Sequence, residues 1–202
     1  MSTRMHDFKQ LMKIDGMALA ERVAVNFQRA GIKDIVMVTG YRAEQVEKEL
    51  SHLGITFLWN RDYETTQMFD SAKMGLAALK DRCDSILFCP ADVPFFSDNT
   101  AEALLAAKGK LVFPVSNGRN GHPIRIDTDL IPRILEYQGD RGLKGALDSL
   151  DTKPVSLYVE DEGSVTDADT KEDYHHLEKI HNTRQANTHF APASRSTPPY
   201  SK

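Results

Sequence analysis

Apolar positions along the first 180 residues fall into alternating helical and extended stretches. Over Met17–Ala30 the residues Ala20, Val23, Phe27 and Ala30 recur at three- and four-residue spacings, which predicts an amphipathic helix. Asp34–Thr39 (DIVMVT) is a short run rich in β-branched side chains, stopped by Gly40, and predicts a buried strand. Val46, Leu50 and Leu53 share one face of a helix expected over Arg42–Leu53 and closed by Gly54. Ile55–Trp59 predicts a second strand. Met68–Lys80 predicts a third helix, through Met68, Ala72, Leu76 and Leu79. Ser85–Cys89 (SILFC) is a continuous apolar run, as expected of a strand covered on both faces. Further helices are expected at Ala101–Ala107, Leu130–Tyr137, Gly142–Leu150 and Thr170–Ile180. Further strands are expected at Leu111–Val115, Pro123–Ile126, Val155–Val159 and Ser164–Thr166. There are no internal repeats.

Strands alternating with helices at this spacing mean βαβ units, a mostly parallel sheet and helix layers against it: an α/β protein. In such sheets ligands sit at the carboxyl ends of the strands. Chemistry is therefore expected just after Thr39, Trp59, Cys89, Val115 and Thr166. The segment 181–202 differs from the rest. It holds six Ser/Thr, three Pro and no acid, so it is expected to be a disordered tail behind a single domain over 1–180.

Composition narrows the class. The 202-residue chain is 41% hydrophobic and 27% charged, an ordinary globular mix, with net charge −4 and an isoelectric point near 6.0. That balance gives no electrostatic support for general nucleic-acid binding. No apolar run approaches the ~18 residues of a membrane span, and no secretory signal opens the chain. Cys83 and Cys89 lack CxxC or zinc spacing and are expected to be reduced, buried thiols in a cytoplasmic protein. No HxxxH pair suggests a histidine-built metal site.

Five clusters carry candidate chemistry. Ser2-Thr3-Arg4-Met5 followed by Lys9 sets two cations beside short hydroxyls, a loop suited to a triphosphate. A solvated basic terminus explains the pair as well. Asp92, in Cys89-Pro90-Ala91-Asp92-Val93-Pro94, directly follows the SILFC run. A lone carboxylate there suits Mg²⁺, which keeps waters and substrate phosphate around one or two carboxylates. The flanking prolines also fit a plain turn. Asn117-Gly118-Arg119-Asn120-Gly121-His122-Pro123 lets backbone N–H groups approach an anion, or is simply a hairpin loop. Thr166-Asp167-Ala168-Asp169 offers two carboxylates to a metal at a strand–helix junction. Alternatively, Asp169 caps the next helix, with Glu172 three residues on. Met68-Phe69-Asp70-Ser71 opens a helix, with Ser71 near its N-terminus; a buried Met68 and a solvent-facing Ser71 are the bland alternative.

In this order the clusters resemble the MobA-like NTP transferases, and within them the molybdenum-cofactor cytidylyltransferase branch. STRM and FKQL are similar to the end of that family's phosphate loop and its lysine. KDIVMVTGY resembles its second strand, and QMFDSAKMGL its Gly-Met-x-x-Ser…Gly-Leu segment. FCPADVPF is similar to the metal-binding Asp motif, GRNGHP to the Gly-Arg-x-Gly-His-Pro loop, and TDADTKEDY to the closing acidic motif. The resemblance covers residues 2 to about 180. His6, Gln10, Gln67 and Lys171 depart from its pattern. It also places a strand and a Gly-rich loop ahead of Ser2, so an N-terminally truncated domain is expected.

The resemblance implies a Rossmann-like, nucleotide-diphospho-sugar transferase-like sheet with helices on both faces and a small β excursion near 116–127. It implies transfer of a nucleoside monophosphate, CMP, from an NTP (CTP) to a phosphorylated acceptor such as molybdopterin, with release of pyrophosphate. Arg4 and Lys9 would stabilise charge on the triphosphate. Asp92 and Asp169 would hold Mg²⁺, with Asp167 in support. Met68 and Ser71 would line the base or acceptor pocket, and Gly121 and His122 would face the acceptor phosphate. A non-catalytic nucleotide-binding relative, a sugar-phosphate nucleotidyltransferase and a DxD glycosyltransferase are the alternatives.

Overall fold

The computed structural model describes residues 8–189. Arg4 and its hydroxyl neighbours lie outside these described residues. A 3₁₀ turn at Lys9–Leu11 leads into a small antiparallel hairpin, β1 (Lys13–Ile14) and β2 (Met17–Ala18), turned at Asp15-Gly16. Helix α1 (Leu19–Arg29) follows, so the helix expected from Met17 gives its first two residues to the hairpin. Next come β3 (Val36–Thr39), α2 (Ala43–Leu50), β4 (Thr56–Trp59), α3 (Met68–Leu79), β5 (Ser85–Phe88) and α4 (Asp98–Ala106). The chain continues through β6 (Leu111–Ser116), β7 (Arg119–Asn120), β8 (Ile124–Asp127), α5 (Ile131–Glu136), α6 (Gly142–Asp148), β9 (Val155–Tyr158) and α7 (Lys171–His189).

β3 and β4 form a parallel pair in register Val36↔Thr56 to Thr39↔Trp59. β5, β8, β6 and β7 form a second sheet, with β9 parallel to β6. β8 runs antiparallel to both β5 and β6, so β5, β6 and β9 all point one way around a single reversed strand. The excursion expected near 116–127 is the β6–β7 hairpin together with β8. Its turn is Asn117-Gly118, both residues at positive φ, as a two-residue hairpin needs.

Alternation along β5 shows why a fully apolar strand was needed. Ile86 and Phe88 pack into a core shared with α3, α5 and α6, including Leu76, Ile126, Ile131 and Ile134. Leu87 and Cys89 point the other way, toward Val23, Phe27 and Ala101 of α1 and α4. Helices therefore cover both faces. In the same way Val36 faces the α3 side and Met37 faces Val46 and Leu50 of α2. The Phe27 and Phe96 rings meet at a tilt with centroids 4.9 Å apart, and Phe96 is fully buried. No helix among the described residues is long and apolar enough to cross a membrane.

Two expectations are corrected. Ser164–Thr166 is not a strand. Residues Glu162–Val165 form a 3₁₀ turn, because the Ser164 hydroxyl and N–H both donate to the Asp161 carbonyl, at 2.7 and 3.1 Å. The boundary at 180 also moves. Helix α7 continues to His189, and within 181–189 Arg184 docks onto the body. Its guanidinium donates to the Phe95 carbonyl and to Asp161 Oδ1, both at 2.6 Å. The disorder expected for the remaining tail falls on 190–202, outside the described residues. Asp161 is buried, and it also accepts the Ser97 N–H at 2.7 Å and the Thr100 hydroxyl at 2.6 Å.

Candidate active site

Three distant segments meet at one point. Lys9, on the 3₁₀ turn before the hairpin, reaches Asp92 on the turn after β5 and Asp169 on the turn before α7. Its ammonium donates to Asp92 Oδ2 at 3.0 Å and to Asp169 Oδ1 at 2.5 Å. The two acidic turns are fixed to each other by the backbone: Ala168 N–H donates to the Asp92 carbonyl at 2.9 Å. The Lys9 side chain is 10% exposed, whereas those of Asp92 and Asp169 are 36% and 62% exposed and open toward solvent. Burial pulls the Lys9 pKa down, but the hydrogen bonds and negative charges of Asp169 and Asp92 outweigh it and leave it above the ordinary lysine value. Asp167 stands close by. Its pKa is pushed up by partial burial first, then by the negative charges of Asp169, Asp92 and Asp173.

The helix cap that Asp169 was a candidate for is made by other residues. Thr170 and Asp173 form a reciprocal box: Asp173 Oδ2 accepts the Thr170 N–H at 2.8 Å, and the Thr170 hydroxyl oxygen accepts the Asp173 N–H at 3.1 Å. Asp169 is thereby left to face Lys9. Among the described residues, no three His, Cys, Asp or Glu side chains converge closely enough to cage a metal by themselves.

A cleft of about 320 Å³ opens beside Asp92, between the β3 and β5 edges, and is lined mainly by apolar side chains. Met68 and Ser71 stand on its wall with Asp92. Met68 is 79% exposed, so it is not the core residue that the bland reading of its helix expects. Ser71 is held by Asn60, whose buried amide donates to the Ser71 hydroxyl at 3.0 Å and to the Thr66 hydroxyl at 2.9 Å. Asn60 was missed in the sequence. Its position immediately after a strand is the only signal that pointed to it. Asp70 Oδ2 accepts the Gln67 N–H at 2.8 Å and caps α3.

Gly121 and His122 line a second cavity of about 620 Å³, which also touches Met68. Their loop is pinned at both ends: Gly121 N–H donates to the Pro114 carbonyl at 2.8 Å and His122 N–H to the Ser164 carbonyl at 2.7 Å. A Cβ at Gly121 would collide with the Ser164 carbonyl oxygen, so only glycine fits this approach. Gly121→Val is expected to lower stability by about 1–3 kcal/mol through overpacking against backbone that has no room to yield, read as a fall in Tm. His122 Nδ1 is buried in the loop without a hydrogen-bond partner. Burial lowers the imidazole pKa and keeps it neutral, partly opposed by the Phe88 backbone and the Asp92 charge. Arg141, just ahead of α6, and Lys144 within it border the same cavity and carry no sequence signal.

The thiols divide. Cys83 is exposed, against the expectation that both would be buried. Burial, then the charge of Asp92, pushes the Cys89 thiol well up, so it stays protonated beside the carboxylates.

Comparison with known proteins bears on the family and the fold. A family model described as the MobA-like NTP transferase domain matches residues 1–154. The bifunctional protein GlmU of Staphylococcus haemolyticus is 30% identical over 105 residues, covering 51% of this chain and 23% of that protein. The chain thus spans about a quarter of the length of this curated relative. Among solved structures, the Rv0371c protein of Mycobacterium tuberculosis H37Rv superposes with a TM-score of 0.76 at 20% identity, covering 88% of this chain and 92% of that one. The same protein has been solved in complex with manganese, with a TM-score of 0.71 at 19% identity over 85% and 91% of the two chains. A nucleotidyl transferase from Methanothermobacter thermautotroptrophicus gives 0.75 at 23% identity, over 88% and 86%. At these identities the structures speak to the fold.

Proposed function

The chain belongs to the MobA-like NTP transferase domain family, and on that premise we propose that it transfers a nucleoside monophosphate, CMP, from an NTP to a phosphorylated acceptor of the molybdopterin kind in the cytoplasm, releasing pyrophosphate. The observation that carries this reading is the convergence of Lys9, Asp92 and Asp169 from positions 83 and 160 residues apart. A divalent cation fits the donor set. The oxygens are hard carboxylate oxygens, and the Lys9 ammonium already seated between them supports reading the spot as one that attracts positive charge. Asp92 and Asp169 would hold Mg²⁺, with Asp167 adding negative charge. Mg²⁺ bound there supplies charge neutralisation at the reacting phosphate.

The rest is positioning by side chains, since phosphoryl chemistry of this kind asks for no covalent nucleophile from the protein. Ser71, fixed by Asn60, and Met68 would orient the nucleotide in the cleft beside Asp92. Gly121 and the neutral His122 would face the acceptor's phosphate oxygen as it attacks the α-phosphorus and pyrophosphate leaves. Lys9 would neutralise charge building on the triphosphate, and the resemblance adds Arg4 to that task. The test is incubation of the protein with Mg²⁺, each of the four NTPs and molybdopterin, with pyrophosphate and product mass measured together. Equimolar pyrophosphate and nucleotidylated acceptor, greatest with CTP, is the expected result. Binding of NTP with no pyrophosphate release from any of the four would favour the non-catalytic alternative.

A further inference from the structure

The Lys9 ammonium and a divalent cation need the same carboxylate oxygens. Lys9 Nζ already lies 2.5 Å from Asp169 Oδ1 and 3.0 Å from Asp92 Oδ2. A Mg²⁺ ion takes oxygens at about 2.0–2.1 Å. Set between these two carboxylates, it would sit almost on the ammonium, and two like charges at that separation repel strongly in a site whose lysine is nearly buried. The ammonium must therefore leave before both carboxylates are available. Leaving is costly while its charge has no other partner, since the Lys9 stem is packed and, among the described residues, no third acid is ion-paired with it. A triphosphate supplies that partner.

We propose that Lys9 is an internal cation that makes metal and nucleotide binding conditional on each other: it holds Asp92 and Asp169 closed to metal until a nucleotide's phosphates take over its charge. This rests on the nucleotidyl-transfer reading for the identity of the anion, and it adds the order in which the site is assembled. Coupling between two ligands is reciprocal, so the metal should raise nucleotide affinity by the same factor as the nucleotide raises metal affinity. The arrangement keeps a metal-loaded, nucleotide-free site scarce. It also keeps three neighbouring carboxylates, Asp92, Asp167 and Asp169, neutralised in part when no ligand is present.

The test is Mn²⁺ binding to the protein without substrates, followed by the loss of the free-Mn²⁺ electron paramagnetic resonance signal. Wild type is compared with Lys9→Met, which keeps the stem and removes the charge, with Lys9→Arg, and with Lys9→Met/Asp92→Asn. Lys9→Met is expected to bind Mn²⁺ at least about tenfold more tightly than wild type, within the usual range of such couplings. Lys9→Arg should stay weak, and the double variant should lose the gain. In wild type, a non-hydrolysable α,β-methylene CTP should raise Mn²⁺ affinity beyond what the analogue itself binds, and in Lys9→Met the rise should be smaller, because only the phosphates' direct ligation of the metal remains. Equal or weaker Mn²⁺ binding by a folded Lys9→Met protein overturns the proposal, as does a gain that survives in the double variant. Turnover is read separately. A Lys9 effect on Mn²⁺ in a protein that transfers no nucleotide would sink the functional reading and leave the competition standing.

Discussion

Asp92→Asn is expected to lower kcat/KM for nucleotidyl transfer by about 10²–10³-fold, the usual effect of removing one preorganised electrostatic partner from a reacting phosphate or oxyanion. The amide keeps the size of the carboxylate and still accepts a hydrogen bond from Lys9. The tie that fixes the turn uses the Asp92 backbone carbonyl, which the substitution leaves in place. The Asp92 side chain is 36% exposed, so its charge contributes little to folding, and Tm should stay within a few degrees of the parent. What changes is the charge offered to a cation: one carboxylate is lost from a pair that no third ligand completes among the described residues. Steady-state pyrophosphate release at saturating Mg²⁺, with Tm from the same preparation, separates the two effects. Parent-like turnover would remove Asp92 from the metal site. A collapse in Tm would mean that its role is to hold the turn.

Helical and strand periods were legible wherever a face is apolar. The stretches that became β3, α3 and β5 were read within a residue or two, and α2 gives only its last three expected residues to a 3₁₀ turn, because Val46 and Leu50, or Ile86 and Phe88, each have a core to enter. The reading failed where polar contacts hold the backbone. The sequence 162–166 contains β-branched residues, yet the Asp161 carbonyl draws Ser164 into a tight turn. Past Ile180, α7 presents no apolar stripe, and it is held by polar contacts: Arg184 reaches residues 89 and 23 positions away, and His181 and Gln185 reach Asp15. The Asp15-Gly16 pair is a turn signal in the sequence, masked by the regular helical pattern that starts at Met17. As for the site, local pattern placed Asp92 and Asp169 at strand ends but left each with a structural explanation. Only the resemblance put Lys9 beside them, because separations of 83 and 160 residues leave no periodic trace. The Thr170–Asp173 cap that frees Asp169 was readable as a Thr-x-x-Asp spacing one residue beyond the cap first considered.

Ending the chain at residue 180 is expected to destabilise it by about 3 kcal/mol, the low end for breaking a buried ion pair by removing one partner. The acid left behind is Asp161, only 3% exposed, which keeps the Ser97 N–H and the Thr100 hydroxyl but loses the single cation paired with it among the described residues. Arg184 is itself 39% exposed, which argues for the low end rather than the high one. For a domain of this length such a loss corresponds to a fall in Tm of roughly 6–12 °C. The effect should be local in origin. Arg184→Met in the full chain should reproduce most of it, while ending the chain at 189 keeps Arg184 and should keep the parent Tm. Leu177 and Ile180 remain in the shortened protein, packed with Leu19 and Phe95, so the start of α7 and the Asp169 turn stay seated. Nucleotidyl transfer measured well below the new Tm should accordingly be close to that of the parent. A 1–180 protein that melts with the full chain would show that Asp161 is satisfied by Ser97 and Thr100 alone. A 1–180 protein that melts low and also loses transfer would show that the far end of α7 reaches the site through Asp169.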